Sequence, residues 1–258
     1  MLNQILGHLR RWMNTGTSVL LTQALHWRAE EVPGVTDLPA VVVAPHQDDE
    51  TFGCGGVIAL KRQKGVPVTI VFVSDGGGSR RNKGVTINEI IATRQAEALA
   101  AARVLGVATE DVKFLGYPDT QLASLSPDAR LKVVEQLKTF LNQHDRVEVY
   151  VTFKKDLHPD HEAAYQFVTE ASQESSSEVR LFEYLVWMRW MGKFLRNLTW
   201  ADLPGLMKVP IHPVLGVKLQ AIQAYPSQIQ ALAKGMLRCF KQPWEVFVQR
   251  PLPGKADE

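Results

Sequence analysis

The sequence predicts an α/β fold: a Rossmann-like, mostly parallel sheet with helices on both faces, plus a less regular C-terminal part. Short apolar runs rich in β-branched residues recur at 39–45, 67–73, 112–115 and 147–153, and each gives way to turn residues. Segments of helical spacing lie between them, and strands alternating with helices imply right-handed crossovers into a parallel sheet. With 258 residues, 45% of them hydrophobic, the chain can bury a sizeable core and suits one large domain better than two. Three regions are expected: an amphipathic helical extension over 1–30, a single α/β domain over 31–252, and a disordered charged tail over 253–258.

At the N-terminus, Leu2, Ile5, Leu6, Leu9 and Met13 recur at helical spacing beside Arg10 and Arg11. Such a stripe commonly docks on its own domain; the other readings are peripheral contact with a membrane surface or with a partner protein. Val32-Pro33-Gly34 leads to the first strand. Residues 51–64 then read as a helix, opened by acidic residues and closed by Lys61, Arg62, Lys64 and Gly65. The second strand, Pro67–Val73, runs into Ser74-Asp75 and three glycines. Asn88–Leu105 is an alanine-rich helix stopped by Gly106, and Val112–Leu115 a short third strand. A helix at 127–142, a strand at Val147–Phe153 and a helix at Asp160–Ala171 follow. Beyond residue 180 the pattern gives a strand at Leu181–Trp187, a proline-punctuated stretch at 204–213, a helical segment at 214–237 and a last strand at Glu245–Gln249.

Composition narrows the partners. A formal net charge of +2 gives no push toward nucleic acid, and no run of about 20 apolar residues is present to span a membrane. Cys54 and Cys239 form no C-x-x-C pair, which points to a reducing compartment and leaves no cysteine-based zinc site. The N-terminal segment lacks the order of a signal peptide, so the expected location is cytoplasmic.

The chemistry concentrates in two clusters. His46-Gln47-Asp48-Asp49-Glu50 follows the first strand, and His158-Pro159-Asp160-His161 follows the fourth. In a parallel sheet the carboxyl ends of all strands share one edge, where open α/β sheets place ligands. Like charges crowded into one turn cost electrostatic energy that a cation offsets. Nitrogen and oxygen ligands of this kind suit zinc, iron(II) or manganese.

A P-H-x-D-D-E run after a first strand, with H-P-D-H after a later one, resembles the LmbE/PIG-L family of metal-dependent, usually zinc-dependent, de-N-acetylases of N-acetylglucosamine conjugates. The resemblance spans residues 39–230 and takes in Thr93-Arg94-Gln95-Ala96-Glu97, Leu105-Gly106-Val107, and Lys218 with Tyr225-Pro226-Ser227-Gln228. It implies His46, Asp49 and His161 as metal ligands, and Asp48 as general base. It further implies His158 as the histidine that steadies the tetrahedral oxyanion, Asp160 as the acid paired with it, and Arg94 and Asp119 as sugar contacts. Gln47 stands where the family most often has proline, which predicts a looser turn with ligand spacing intact. Asp156 stands where some members carry a tyrosine near the reacting carbonyl.

The roles also follow from the chemistry. Amide hydrolysis at neutral pH needs an activated water and a group for the developing negative charge, and a zinc-bound water has a pKa of about 7. Asp48, next to a ligand without being one, suits proton transfer; a protonated His158 would donate to the oxyanion. Asp160 would orient that ring and raise its pKa. Plainer roles stand beside these. Asp48, Asp49 or Glu50 could cap the following helix, and capping or a loop hydrogen bond is the preferred reading for Glu50. Arg94 could be a surface arginine. His144 reads as solvated and His212 as a loop or rim residue. Gly53-Cys54-Gly55-Gly56 lacks the lysine and hydroxyl of a P-loop and reads as close packing. Arg80, Arg81 and Lys83, in a glycine-rich loop near the same sheet edge, read first as solvated and otherwise as attracting an anionic group on a substrate, and Lys154 and Lys155 could add to a positive rim.

The sequence therefore predicts a zinc-dependent hydrolase, with iron(II) or another divalent metal open, acting on a small-molecule amino-sugar conjugate. Two other classes compete: a non-haem iron oxygenase with a two-histidine, one-carboxylate site, and a non-enzymatic binding protein with a vestigial site. A homo-oligomer and a glycosyltransferase partner stay open.

Overall fold

The computed structural model of the chain describes residues 20–78, 84–189, 202–232 and 236–252. The expected N-terminal stripe over residues 2–13, the cations Arg80, Arg81 and Lys83, and the tail at 253–258 lie outside the described residues.

Among the described residues eight strands form one sheet. They are β1 (Glu30–Glu31), β2 (Ala40–Ala44), β3 (Val68–Ser74), β4 (Val112–Tyr117), β5 (Arg146–Thr152), β6 (Glu178–Tyr184), β7 (Leu206–Pro210) and β8 (Trp244–Arg250), in the order β1-β7-β8-β6-β5-β2-β3-β4. All neighbours pair in parallel except β8, which runs antiparallel to β6 and β7. The sequence pattern misses β1, which has two residues, and β7, where prolines flank the strand.

The helices are α1 (residues 20–28), α2 (Asp49–Gln63), α3 (Ile87–Val104), α4 (Pro127–Leu141), α5 (Pro159–Glu174), α6 (Leu215–Gln223), α7 (Pro226–Ala231) and α8 (Met236–Phe240). Their starts carry recognisable signals. Thr86 and Glu89 form a reciprocal capping box on α3, and Ser126 caps α4 ahead of Pro127. The single helical segment expected at 214–237 is broken into α6, α7 and α8. Pro226 lacks an N–H and disfavours helical backbone at Tyr225, so the chain turns there and restarts.

Successive strand residues face opposite sides, and the two cores divide accordingly. Val41, Val43, Val149 and Val151 pack with Phe167 and Val168 of α5 and Leu137 of α4. Val42, Ala44, Ile70 and Phe72 pack with Val57 and Ile58 of α2, Ala98 of α3 and Ile222 of α6. The chain runs outward from β2 through β3 to β4, then crosses back to place β5 on the other side of β2. That reversal between β2 and β5 is the switch point at which open α/β sheets bind ligands.

Candidate metal centre

Both predicted clusters sit at this switch point. The turn after β2 carries His46 to Asp48 into α2, whose first turn holds Asp49 and Glu50. The loop after β5 carries His158 to the start of α5, where its Nδ1 accepts the Asp160 N–H at 3.3 Å and so caps the helix. Among the described residues, the non-glycine positions with positive φ are Asp48 (137°), Thr120 (67°) and Leu157 (60°), and all three adjoin the site. Such backbone costs free energy and persists where surrounding contacts hold it.

Asp49 Oδ2 lies 3.2 Å from His46 Nδ1 and 3.3 Å from His161 Nε2. Ligand atoms each about 2.0–2.1 Å from a tetrahedral zinc stand about 3.3–3.4 Å apart, so the two spacings from Asp49 match two edges of such a site. His161 Nε2 is buried and makes no hydrogen bond, an arrangement that is costly without a partner. Each imidazole is held from its far side: His161 Nδ1 by Asp156 Oδ2 at 2.7 Å, and His46 Nε2 by Asp160 Oδ2 and Asp119 Oδ1 at 3.1 Å each. Carboxylates behind ligating histidines set ring orientation and basicity. Two groupings, His46 with His158 and His161, and His46 with Asp119 and Asp160, bring all their ligand atoms within 4.8 Å of one another; in the Asp49-centred set the two short spacings are those to Asp49. The Asp49-centred set is preferred, because it uses the unbonded His161 nitrogen and leaves an orienting carboxylate behind each ring.

The electrostatics follow from this crowding. Burial opposes charge on His46, yet Asp119, Asp160 and Asp49 hold its imidazole well above the ordinary value. Burial likewise opposes the charge on His161, which Asp49 and Asp156 raise to about 9. Burial alone would raise Asp49, but His161 and His46 hold it well below the carboxylate range. Asp48 is pushed up to about 8 by burial and by Asp49, against the pull of Arg94 and His46.

Asp48 occupies the N-cap position of α2, yet its side chain makes no capping hydrogen bond. Its backbone N–H donates to Glu50 Oε2 at 3.1 Å, and Glu50 is fixed in turn by the Tyr225 hydroxyl at 2.7 Å. Glu50 thus makes the loop hydrogen bond preferred for it above. Arg94 is buried rather than a surface arginine. It donates to the Gln47 carbonyl at 2.8 Å and lies 3.6 Å from Asp48 and 3.8 Å from Asp119.

Several expectations need correction. Asp160 turns its carboxylate to His46 and to the N–H groups of Thr120 (2.8 Å) and Leu122 (3.1 Å); only its backbone N–H reaches His158. The His158 imidazole is not raised. Burial first, then charge on His46 and His161, pushes it down to about 4. Gln47 does not loosen the turn, because it is fully buried and its Nε2 donates to the Ser74 carbonyl at 2.9 Å. Asp156 points away from the reacting cluster's cavity and accepts from His161 and from the N–H groups of Val186, Trp187 and Met188 at 3.0–3.1 Å. Lys155 pairs with Asp202, and neither Lys154 nor Lys155 lines the cavity. His212 lines a different groove, and His144 is half-buried after the end of α4.

The cavity over the cluster is about 570 Å³, within the range that holds a small-molecule ligand. Sequence reasoning missed Glu245, which is fully buried in β8. Its carboxylate accepts the N–H groups of Gly56 and Val57 in mid-α2 and pairs with Lys218 at 2.5 Å. Lys218 also donates to the Phe52 carbonyl at 2.9 Å. A buried lysine implies a counter-charge, but nothing local in the sequence marks which acid supplies it. The glycines of α2 do serve close packing. A Cβ at Gly53 would fall 2.2 Å from the Tyr184 ring, and one at Gly56 2.6 Å from Ile211.

Comparison with known proteins gives consistent matches. A family model described as PIG-L, GlcNAc-PI de-N-acetylase, matches residues 41–172. The probable N-acetyl-alpha-D-glucosaminyl L-malate deacetylase 2 of Bacillus anthracis is 29% identical over 191 residues, 73% of this chain and 80% of that protein. The solved structure of the conserved protein TT1542 from Thermus thermophilus superposes with a TM-score of 0.63 at 27% identity, covering 85% of this chain and 97% of that one. A shorter match, 33% identical over 98 residues and 36% of this chain, is to the 4-oxalmesaconate hydratase of Pseudomonas putida, covering 38% of it.

Proposed function

Because the chain belongs to the PIG-L, GlcNAc-PI de-N-acetylase family, whose model matches just over half of it, we propose that it is a zinc-dependent hydrolase that removes the acetyl group from an N-acetylglucosamine conjugate. The observation that carries this is the single Asp49 oxygen lying within 3.3 Å of one nitrogen on each of two histidines from remote turns.

His46 Nδ1, Asp49 Oδ2 and His161 Nε2 would hold the metal. A divalent ion bound there supplies an activated water and polarises the amide carbonyl. Asp48 would take a proton from the attacking water and pass it to the leaving amine, and Arg94 at 3.6 Å favours the carboxylate form that this needs. With Nδ1 accepting from the Asp160 N–H, His158 would present Nε2 as the hydrogen-bond donor to the oxyanion. Asp160 and Asp156 orient the two metal-binding rings. Arg94 and Asp119 meet the sugar at the cavity floor.

The reading extends to a cytoplasmic enzyme that works downstream of a glycosyltransferase, supported by two buried free cysteines. No described helix is long and apolar enough to cross a membrane. The test is acetate release from N-acetylglucosamine conjugates by protein loaded with zinc or iron(II). Loss of most activity in Asp48→Ala and His158→Ala is expected. The hydratase match raises a second reading on the same scaffold. Water addition to an unsaturated tricarboxylate, with no acetate released from any conjugate, would establish that reading instead. Oxygen consumption with an α-keto acid would establish the oxygenase, and metal binding without turnover the vestigial site.

A further inference from the structure

Asp48 departs from the role its position would give it. An aspartate at a helix N-cap ordinarily sits in extended backbone and accepts an N–H of the first turn. Asp48 instead has φ 137° and ψ −27°, makes no capping bond, and lines the cavity with Arg94 and His158. A residue other than glycine holds such a positive φ where its surroundings over-determine it. Here they act on one peptide unit. The Gln47 carbonyl accepts from Arg94 Nη2 at 2.8 Å, and the N–H of the same peptide, that of Asp48, donates to Glu50 Oε2 at 3.1 Å. A planar peptide bonded at both ends cannot swing about its flanking bonds without losing a partner, and its orientation sets φ of Asp48. Gly76 leaves room for this arrangement, since a Cβ there would fall 2.2 Å from Gln47 Oε1 and 2.8 Å from Arg94 Cδ.

Glu50 is fixed in turn from a distant segment. It is fully buried, and its Oε1 accepts the Thr51 hydroxyl at 2.5 Å and the Tyr225 hydroxyl at 2.7 Å. Both carboxylate oxygens are therefore engaged, which fixes the orientation of the group. Tyr225 lies 175 residues further along the chain, fully buried at the turn between α6 and α7. That turn is itself held firmly. The Tyr225 carbonyl accepts the N–H groups of Gln228 at 3.1 Å and Ile229 at 2.9 Å. Ser227 donates its N–H at 2.9 Å and its hydroxyl at 2.6 Å to Glu97 of α3. Ser227 and Gln228 line the cavity, so the wall that faces a substrate and the tyrosine that reaches Glu50 belong to one turn.

Resting on the hydrolase reading above, we propose that Glu50 and Tyr225 are positioning residues for the general base. They clamp the Gln47–Asp48 peptide against Arg94, so that the Asp48 carboxylate faces the cavity instead of capping α2. A buried tyrosine satisfied by a buried glutamate would need only the 2.7 Å bond between them. The further bond from the Asp48 N–H to the same carboxylate ties that pair to the base.

The test compares Tyr225→Phe, Glu50→Gln and Glu50→Ala with the unsubstituted full chain, each loaded with zinc. Three quantities are read: hydrogen exchange at the Asp48 amide by NMR, zinc affinity, and kcat and KM for acetate release. The exchange measurement requires no turnover, so it stands apart from the hydrolase reading. Tyr225→Phe deletes the hydroxyl alone and should speed exchange at Asp48 by about threefold to tenfold. It should lower kcat by about tenfold, with KM and zinc affinity each within about threefold of the original. Glu50→Ala should lower kcat by about 100-fold. Glu50→Gln keeps an acceptor for the Asp48 N–H, because the Thr51 and Tyr225 hydroxyls can turn to accept its amide, and should fall between. Should Glu50→Ala not fold, Tyr225→Phe decides alone. Unchanged exchange in Tyr225→Phe, faster exchange with kcat unchanged, or zinc affinity falling as far as kcat would overturn the proposal. Faster exchange in the variants, with no acetate released by the unsubstituted protein from any conjugate, would uphold the clamp and sink the hydrolase reading alone.

Discussion

Replacing Asp156 by asparagine isolates the carboxylate behind His161. Asp156 is fully buried, and its two oxygens accept four hydrogen bonds: His161 Nδ1 and Trp187 N on Oδ2, Val186 N and Met188 N on Oδ1. An asparagine has one accepting oxygen and one donating nitrogen. In either orientation its amide nitrogen faces two donors, so one pair loses its acceptor. With the oxygen toward Val186 and Met188, His161 loses the partner that fixes its tautomer. Loss of such an orienting group costs about 10- to 100-fold in metal affinity, which corresponds to about 1.4–2.7 kcal/mol. Zinc competition against a chromophoric chelator measures this directly, with circular dichroism of the metal-free variant as the folding control. A folded Asp156→Asn protein with unchanged zinc affinity would refute the argument that this carboxylate prepares the ring. Restored affinity is not expected from Asp156→Ala, which removes both acceptors.

Other perturbations test the packing around the centre. Gly53→Ala should lower stability by about 1–3 kcal/mol, because the Tyr184 ring must move and its hydroxyl is tied to the Val43 carbonyl at 2.9 Å; an unchanged melting temperature would contradict the close approach. Lys218→Met leaves Glu245 buried without its cation and should cost about 3–5 kcal/mol in denaturant unfolding. Adding Glu245→Leu should recover part of that loss, since apolar replacement of a buried pair is often neutral. Zinc at 100 times its Kd should stabilise the metal-free protein by about 2.7 kcal/mol, raising its melting temperature by about 5–10 °C. A shift that survives His161→Ala would place the ion elsewhere.

The alternation of strands and helices was legible because burial on both faces makes central strands near-continuous apolar runs, as in β2 and β3, while β5 keeps its β-branched pattern around Glu148. The edge of the sheet was not. β1 has two residues and β7 carries Lys208 among its apolar positions, so neither has a period to read. The two site turns were legible from residue types and from their place after strands. Which carboxylate faces which imidazole was not, because Asp156, Asp119 and Asp160 choose partners by tertiary geometry. Asp160 lies beside His158 in sequence yet bonds His46, since helix α5 carries its side chain across the switch point.

X-ray absorption of the zinc-loaded protein tests the central claim most directly. One equivalent of zinc coordinated by two imidazole nitrogens and oxygen ligands at about 2.0–2.1 Å is expected, with one imidazole lost in His46→Ala and one in His161→Ala. A first shell without imidazole, or one unchanged by both substitutions, would show that these two turns do not share a cation.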